Sequence, residues 1–211
     1  MGRCKVCFSE IKTEGINSFF RKDTICQKCY NGFDVLFKIE KIENIDVLFV
    51  YQYNEVTKKL IYQFKGCYDY ELKDVFLMRH QHILRLLFKN YCIVPIPSSK
   101  KDDKKRGYNH VVEIFSILKL PFISCLKKTI DDKQSSKSKK ARADICNNIQ
   151  LMNEHLLREK NILLVDDIYT TGNTLRTCIN LIKRCKVKKI KAIIVCKNCR
   201  NSVNFLDRKH F

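Results

Sequence analysis

The segment Leu163-Leu164-Val165-Asp166-Asp167-Ile168-Tyr169-Thr170-Thr171-Gly172-Asn173-Thr174-Leu175 joins an apolar run to two adjacent acids and then to a turn of small hydroxyl residues. An uninterrupted apolar strand suits a parallel sheet covered on both faces, and ligands bind at the carboxyl end of such strands. The strand would deliver Asp166 and Asp167 to that end. Carboxylates accept hydrogen bonds from vicinal hydroxyls, so both acids are candidates to hold the hydroxyls of a ribose. Thr170, Thr171, Gly172, Asn173 and Thr174 then enter a helix, where backbone N–H groups and the helix dipole converge on an anion. Gly172 permits the turn and the close approach of a phosphate to the main chain. An ordinary strand-to-helix connection capped by Asp and Thr needs fewer such residues. The pattern therefore predicts a site for a ribose 5-phosphate.

Working outward, 161–165 reads as the strand, 173–184 as the helix that follows and 188–196 as a last strand. Upstream, 46–53 is rich in β-branched and aromatic residues and reads as the first strand of the main domain. The apolar spacing of 56–64 predicts a helix that stops at Lys65-Gly66, and a second helix is expected over about 71–89. Cys92-Ile93-Val94-Pro95 reads as a buried strand ended by Pro95-Ile96-Pro97. The segment 98–106 is charged and reads as a turn, 107–118 as an amphipathic helix and 122–126 as a strand. Residues 131–140 are too polar and serine-rich to pack. No internal repeat is visible. Alternating strands and helices predict an α/β fold with a mainly parallel sheet flanked by helices.

The first 35 residues have another character. Cys4, Cys7, Cys26 and Cys29 form a C-x2-C-x18-C-x2-C array, within the spacing of a structural zinc site. Two knuckles present four thiolates to one ion at about 2.3 Å and leave no position for water, so the expected metal is a structural Zn2+. The expected organisation is a four-cysteine zinc-ribbon module at 1–35 and the α/β domain at 36–211. Cys196-Lys197-Asn198-Cys199 reads as a packing cysteine beside an incidental one, with a redox or second metal site as the alternative.

The 211 residues carry 41 Lys and Arg against 22 Asp and Glu, a formal charge of +19, enough to attract polyanions. No acidic residue falls between positions 168 and 206. Lys183, Arg184, Lys186, Lys188 and Lys189 within that stretch are candidate contacts for nucleic acid, with a solvated lysine-rich surface as the plainer reading. Phe19, Phe20 and Tyr30 near the cysteine array are candidates for stacking on bases. No apolar run reaches the roughly 18 residues of a membrane span. The first residues lack a hydrophobic signal core, so the expected compartment is the cytoplasm.

The acid–threonine segment resembles the phosphoribosyl pyrophosphate motif of type I phosphoribosyltransferases. Three further segments resemble the ComF competence family: Leu60-Ile61-Tyr62-Gln63-Phe64-Lys65-Gly66, Val94-Pro95-Ile96-Pro97-Ser98 with Arg106-Gly107-Tyr108-Asn109-His110, and Gln134 with its basic run to Arg142. The resemblance implies a phosphoribosyltransferase-like domain behind a zinc ribbon. It implies phosphoribosyl pyrophosphate as ligand, with Mg2+ on its pyrophosphate. Lys100, Lys101 and Arg106 become candidates for pyrophosphate contact, and Lys137, Lys139 and Arg142 for a loop that closes over it. His110, Ser136-Lys137 and Ile145 depart from the family's usual residues. His110 is expected to be a partly exposed surface residue and Tyr108 an apolar anchor for a helix start.

The resemblance also implies natural transformation, with single-stranded DNA handled in the cytosol and other competence or DNA-processing proteins as partners. Two alternatives stand beside it. One is a working phosphoribosyltransferase, which would release pyrophosphate as a nitrogen nucleophile attacks. The other is a regulator that senses phosphoribosyl pyrophosphate without turnover.

Overall fold

The computed structural model describes residues 2–11, 24–129 and 148–198. Its centre is a five-stranded sheet of order β1-β2-β7-β6-β3, built from β1 (Val35–Ile42), β2 (Ile45–Gln52), β3 (Tyr91–Pro95), β6 (Asn161–Tyr169) and β7 (Lys189–Lys197). β2, β7, β6 and β3 run parallel, while β1 pairs antiparallel with β2 at one edge. A separate hairpin-like pair, β4 (Leu126–Lys128) with β5 (Ile149–Leu151), flanks the segment that holds Lys137, Lys139 and Arg142. Those three residues lie outside the described residues, as do Phe19, Phe20 and Cys199.

Side chains alternate across a strand with period two, and this sorts the core into two layers. Leu48, Val50, Leu163, Val165, Ile193 and Val195 face one cluster, together with Leu60, Ile61 and Phe64 of α2 (Glu55–Gly66) and Val111, Ile114 and Phe115 of α5 (His110–Ser116). Val47, Phe49, Ile162, Leu164, Ala192 and Ile194 face the other, with Leu175, Cys178, Ile179 and Ile182 of α6 (Asn173–Lys183). Cys196 is buried in the first cluster.

Several elements differ from the sequence expectation. β1 precedes the expected first strand. The segment expected as one helix over 71–89 is a 3-10 turn at Tyr70–Asp74, a run of turns and the short α3 (Gln81–Leu87). Val75, Phe76 and Leu77 are all buried in succession, and the Tyr51 hydroxyl donates to the Phe76 carbonyl at 2.8 Å. One face of a regular helix cannot bury three consecutive residues. The segment read as a turn over 98–106 contains α4 (Lys100–Arg106): Ser99 caps it, Asp102 and Asp103 occupy the first turn and Lys104, Lys105 and Arg106 the last. That order matches the helix dipole at both ends. The expected strand at 122–126 contributes one parallel bridge, Ile93 to Phe122, before β4 begins.

The amino-terminal segment shares the first cluster. Cys4, Ile11, Ile25 and Phe33 are buried there with Tyr51 and Phe76. Arg79 lies 4.2 Å over the Tyr30 ring and donates to Gln27 at 2.7 Å, while Lys5 pairs with Glu71 at 2.8 Å. Among the described residues no helix is long and apolar enough to cross a membrane.

Because Ile25 has no exposed surface and sits in the same cluster as β2, Ile25→Ala is expected to destabilise the whole chain by about 2–5 kcal/mol. Urea unfolding followed by far-UV circular dichroism should show one transition moved to lower urea. A separate early transition with an unmoved main one would contradict a shared core.

Candidate functional site

Asp166 and Asp167 stand near the carboxyl end of β6, and the pleat turns them to opposite layers. Asp167 follows Leu163 and Val165 toward α2 and α5. Asp166 follows Ile162 and Leu164 toward α6. Both line a cavity of about 250 Å3 whose other walls are Lys65, Ile96, Pro97, Ser98, Ser99, Asp102, Arg106, His110, Lys128 and Thr174.

Asp167 is only 5% exposed. Its Oδ2 accepts from Lys65 Nζ at 3.0 Å and lies 3.1 Å from His110 Nε2. Its Oδ1 accepts from the Ile168 N–H at 2.9 Å. Behind the histidine, Arg106 Nη1 donates to His110 Nδ1 at 2.9 Å and to Asp103 Oδ1 at 3.1 Å. Arginine can only donate, so His110 Nδ1 accepts and the Nε2 proton points at Asp167. The chain Asp103–Arg106–His110–Asp167–Lys65 thus links α4, α5, β6 and α2. Ser98 and Asn109 hold Asp103 Oδ2 at 2.6 and 2.8 Å. Burial works against the Asp167 charge, but Lys65 and His110 outweigh it and hold the carboxyl well below its ordinary range.

His110 is therefore 2% exposed, against its expectation as a surface residue. The periodicity of a single helix could not show that β6 carries a carboxylate opposite it. Tyr108 does anchor its segment: its hydroxyl donates to the Phe64 carbonyl at 2.5 Å and its ring stacks on Phe64.

Asp166 is half-buried, and its Oδ1 accepts the Asp167 N–H at 2.9 Å. Loss of solvent and then the neighbouring Asp167 charge push its carboxyl well above the ordinary value. One acid is thus neutralised by protein cations, while the other remains short of a cation.

Beyond Tyr169, Gly172 takes φ +75° and precedes α6 with no side-chain cap. A Cβ at Gly172 would come within 2.6 Å of Tyr169 ring carbon Cε2 and would have to displace that ring, while the positive φ itself favours glycine. Caps by Asp or Thr are not formed here, which leaves the first N–H groups of α6 without a capping side chain. Thr174 lines the cavity, and Thr171 offers its carbonyl to Arg176 at 2.9 Å.

Of the pyrophosphate candidates, Arg106 lines the cavity but is engaged by Asp103, His110 and the Lys65 carbonyl. Lys100 and Lys101 are exposed on α4 and do not line it. Lys65 and Lys128 are cations that no motif spacing revealed. Lys65 reaches Asp167 across 102 residues of sequence.

The four cysteines converge as their spacing predicts. Their sulfurs all lie within 4.8 Å of one another, with Cys7 and Cys26 Sγ 3.7 Å apart, close to the ~3.8 Å edge of a tetrahedron with 2.3 Å bonds. The Cys26 N–H points at Cys4 Sγ at 3.3 Å. Hydrogen bonds from Ser9 lower the Cys7 thiol to about 6, while burial and then the neighbouring sulfurs raise Cys29. Four crowded soft donors with a thiol inclined to ionise fit a structural Zn2+.

The basic candidates gather elsewhere. Lys183 ends α6 and donates to the Glu43 carbonyl at 2.7 Å, and Arg184, Lys186, Lys188 and Lys189 are exposed along the turn into β7. Arg184 and Lys186 line a second cavity of about 310 Å3 with Glu154, His155, Arg158 and Cys185. Parallel pairing sets Asp166 beside Ile194 and Asn161 beside Lys189, so the turn lies five residues, about 17 Å, down the sheet from the acids. Tyr30 faces His80 and Arg79 and is not a free stacking surface.

A profile of the phosphoribosyl transferase domain matches residues 99–210, which together with this sheet makes the chain a phosphoribosyltransferase-type α/β protein with an amino-terminal four-cysteine cluster. Competence protein ComFC of Bacillus subtilis is 32% identical over 155 residues, covering 69% of this chain and 60% of that protein. Competence protein ComFC of Streptococcus pneumoniae is 28% identical over 145 residues, covering 67% and 64%. The chain belongs to the phosphoribosyl transferase domain family and is similar to the ComFC competence proteins, and its alignments span less than two thirds of these relatives' lengths. Among solved structures, a purine phosphoribosyltransferase from Pyrococcus horikoshii overlays with a TM-score of 0.40 at 20% identity, covering 62% of this chain and 77% of that one. A hypoxanthine phosphoribosyltransferase from Staphylococcus aureus overlays with a TM-score of 0.38 at 10% identity, covering 59% and 72%.

The Asp167 pair also sets an acid limit. Because its folded pKa lies below the unfolded value near 4, its contribution is complete above about pH 5 and is lost as pH falls through the folded value. Breaking a buried pair costs 3–5 kcal/mol, and the partial exposure of Lys65 reduces this to about 2. Asp167→Asn should therefore lower stability by about 2 kcal/mol at pH 7, and the gap from wild type should begin to narrow below about pH 4 and go on narrowing as the pH falls further. Urea titrations at several pH values check this, and a gap of the same size at pH 7 and pH 2 would contradict the assignment.

Proposed function

We propose that this chain serves natural transformation in the cytosol, binding incoming single-stranded DNA and holding phosphoribosyl pyrophosphate at the carboxyl edge of its sheet. The observation that carries the pocket reading is the pairing of a cation-deficient acid, Asp166, with the uncapped entry of α6 at Gly172. Ribose hydroxyls would donate to Asp166 and to the lone pair left on Asp167. The 5-phosphate would take the N–H groups and hydroxyls of 170–174. Lys128, and Lys65 from its place on Asp167, supply positive charge on the remaining walls. Mg2+ suits the pyrophosphate oxygens and would also relieve the excess negative charge beside Asp166. The amino-terminal segment would act as a structural zinc module, with other competence or DNA-processing proteins as partners.

DNA binding is supported by the ComFC relatives' role as competence proteins and by the basic turn at Lys183, Arg184, Lys186, Lys188 and Lys189. Neutralising phosphates there releases counterions, giving salt-sensitive, sequence-tolerant binding. With about 17 Å between turn and acids, a DNA backbone held at that turn leaves the acid cavity open. Pyrophosphate release with a panel of nitrogenous bases would move the reading to an active transferase.

Removing one of two crowded carboxylates relieves repulsion. Asp166→Asn is thus expected to raise the thermal midpoint while weakening phosphoribosyl pyrophosphate by about tenfold or more in calorimetry with Mg2+. Unchanged affinity would remove Asp166 from the ligand.

Reversal of Lys186, Lys188 and Lys189 to Glu should lower oligonucleotide affinity and flatten its dependence on salt. An unchanged slope would place the phosphate contacts on another surface.

A further inference from the structure

The exposed side of α2 presents a second arrangement that the acid pocket does not use. Tyr53, Glu55, Lys58, Lys59, Ile61, Tyr62, Lys65 and Gly66 surround a groove of about 700 Å3, within the range that takes a nucleotide-sized ligand. Tyr62 is 66% exposed, yet its ring is not loose on the surface. A Cβ added at Gly66 would meet the ring at 3.0 Å, so the ring lies over the glycine at the end of its own helix. That leaves a flat aromatic face open to solvent. Lys58, Lys59 and Lys65 line the same groove against a single acid, Glu55, which Lys58 approaches at 3.3 Å.

α2 begins just past the carboxyl end of β2, and its last turn brings Lys65 to Asp167 near the carboxyl end of β6, two strands away. The helix therefore runs along the ligand edge of the sheet, and Lys65 belongs to both groove and acid pocket.

We infer that the Lys58–Lys59–Tyr62 face of α2 is a base-stacking platform for single-stranded nucleic acid, with a base on the Tyr62 ring and phosphates on the lysines. Every base has a stackable face, so such a platform is tolerant of sequence, and aromatic and cationic groups lining one groove serve the base and the phosphate of a strand together. The inference rests on the nucleic-acid half of the reading above and adds a second surface, one that takes a base together with its flanking phosphates, apart from the basic turn.

The test uses the full chain and a fluorescent oligothymidylate of about 15 nucleotides, with anisotropy recorded over a range of salt. Tyr62→Ala should weaken binding roughly fivefold or more with no change in the salt slope, whereas Tyr62→Phe should bind as wild type. Gly66→Ala, which crowds the ring, should weaken binding in the same direction with the circular dichroism spectrum kept. On an abasic strand of equal charge, Tyr62→Ala and wild type should bind alike. Equal affinity of Tyr62→Ala and wild type for the oligothymidylate overturns the platform, as does an equal loss on the abasic strand. Thymidine monophosphate displacing the strand at the strand's own affinity also overturns it, in favour of a small-molecule pocket. A wild type that holds no strand at low salt sinks the nucleic-acid reading itself, while binding untouched by Tyr62→Ala leaves that reading intact.

Discussion

The buried Asp167 carboxylate is the constraint around which the molecule's ligand edge is arranged. A charge this enclosed persists only with partners on every side. Lys65 arrives from α2, His110 from α5 and the Ile168 N–H from its own strand. Arg106 then fixes the histidine and Asp103 fixes the arginine. Each partner comes from a different element, so the requirement of one carboxylate sets the positions of two helix ends and the start of a third. The lining of the acid cavity follows from that, since Ser98, Arg106 and His110 are all placed by the same chain of bonds.

The two acids of the motif are chemically unlike because they are neighbours on a strand. Alternation sends Asp167 into the layer where Lys65 and His110 wait and sends Asp166 toward α6, where no described side chain gives it an ion pair at 4.0 Å or less. The first becomes part of the scaffold. The second keeps unmet demand for positive charge, the state in which a carboxylate gains most from a hydroxyl donor or a hard cation. A single hydrogen bond, from the Asp167 N–H to Asp166 Oδ1, orients it at the cavity mouth. The dense Asp-Asp pattern in the sequence thus divides into one acid tied into the scaffold and one left facing the cavity.

Much of this is legible in the sequence. The apolar run 161–165, the helix after Gly172 and the C-x2-C pairs depend on neighbours in sequence, and local patterns report them faithfully. What escaped depends on distant partners. Nothing within the helix that carries His110 signals a buried carboxylate opposite, and Lys65 resembles any lysine at a helix end, where the dipole already favours it. The turn-like 98–106 conceals a helix because its charges, which read as solvated, are ordered acid-first and base-last. The helix expected over 71–89 fails for the opposite reason: Val75, Phe76 and Leu77 face the core in succession, as tertiary packing demands and helical periodicity forbids.

Under the proposed function, the sheet's polarity would separate two kinds of negative ligand. At its carboxyl edge, Lys65 and Arg106 are bound to acids, so an anion there would rely chiefly on backbone N–H groups and directed hydroxyls, which select for shape, with Lys128 on the wall. At the amino-end turn, Arg184, Lys186, Lys188 and Lys189 are exposed and offer diffuse charge with little geometry, which suits a repeating polyanion. α2 is the element that breaks this division. It lies on the selective edge but carries lysines and an open tyrosine face, and its final lysine is already engaged with Asp167. Any strand resting on α2 would therefore lie next to the acid pocket, with Lys65 as the group that lines both.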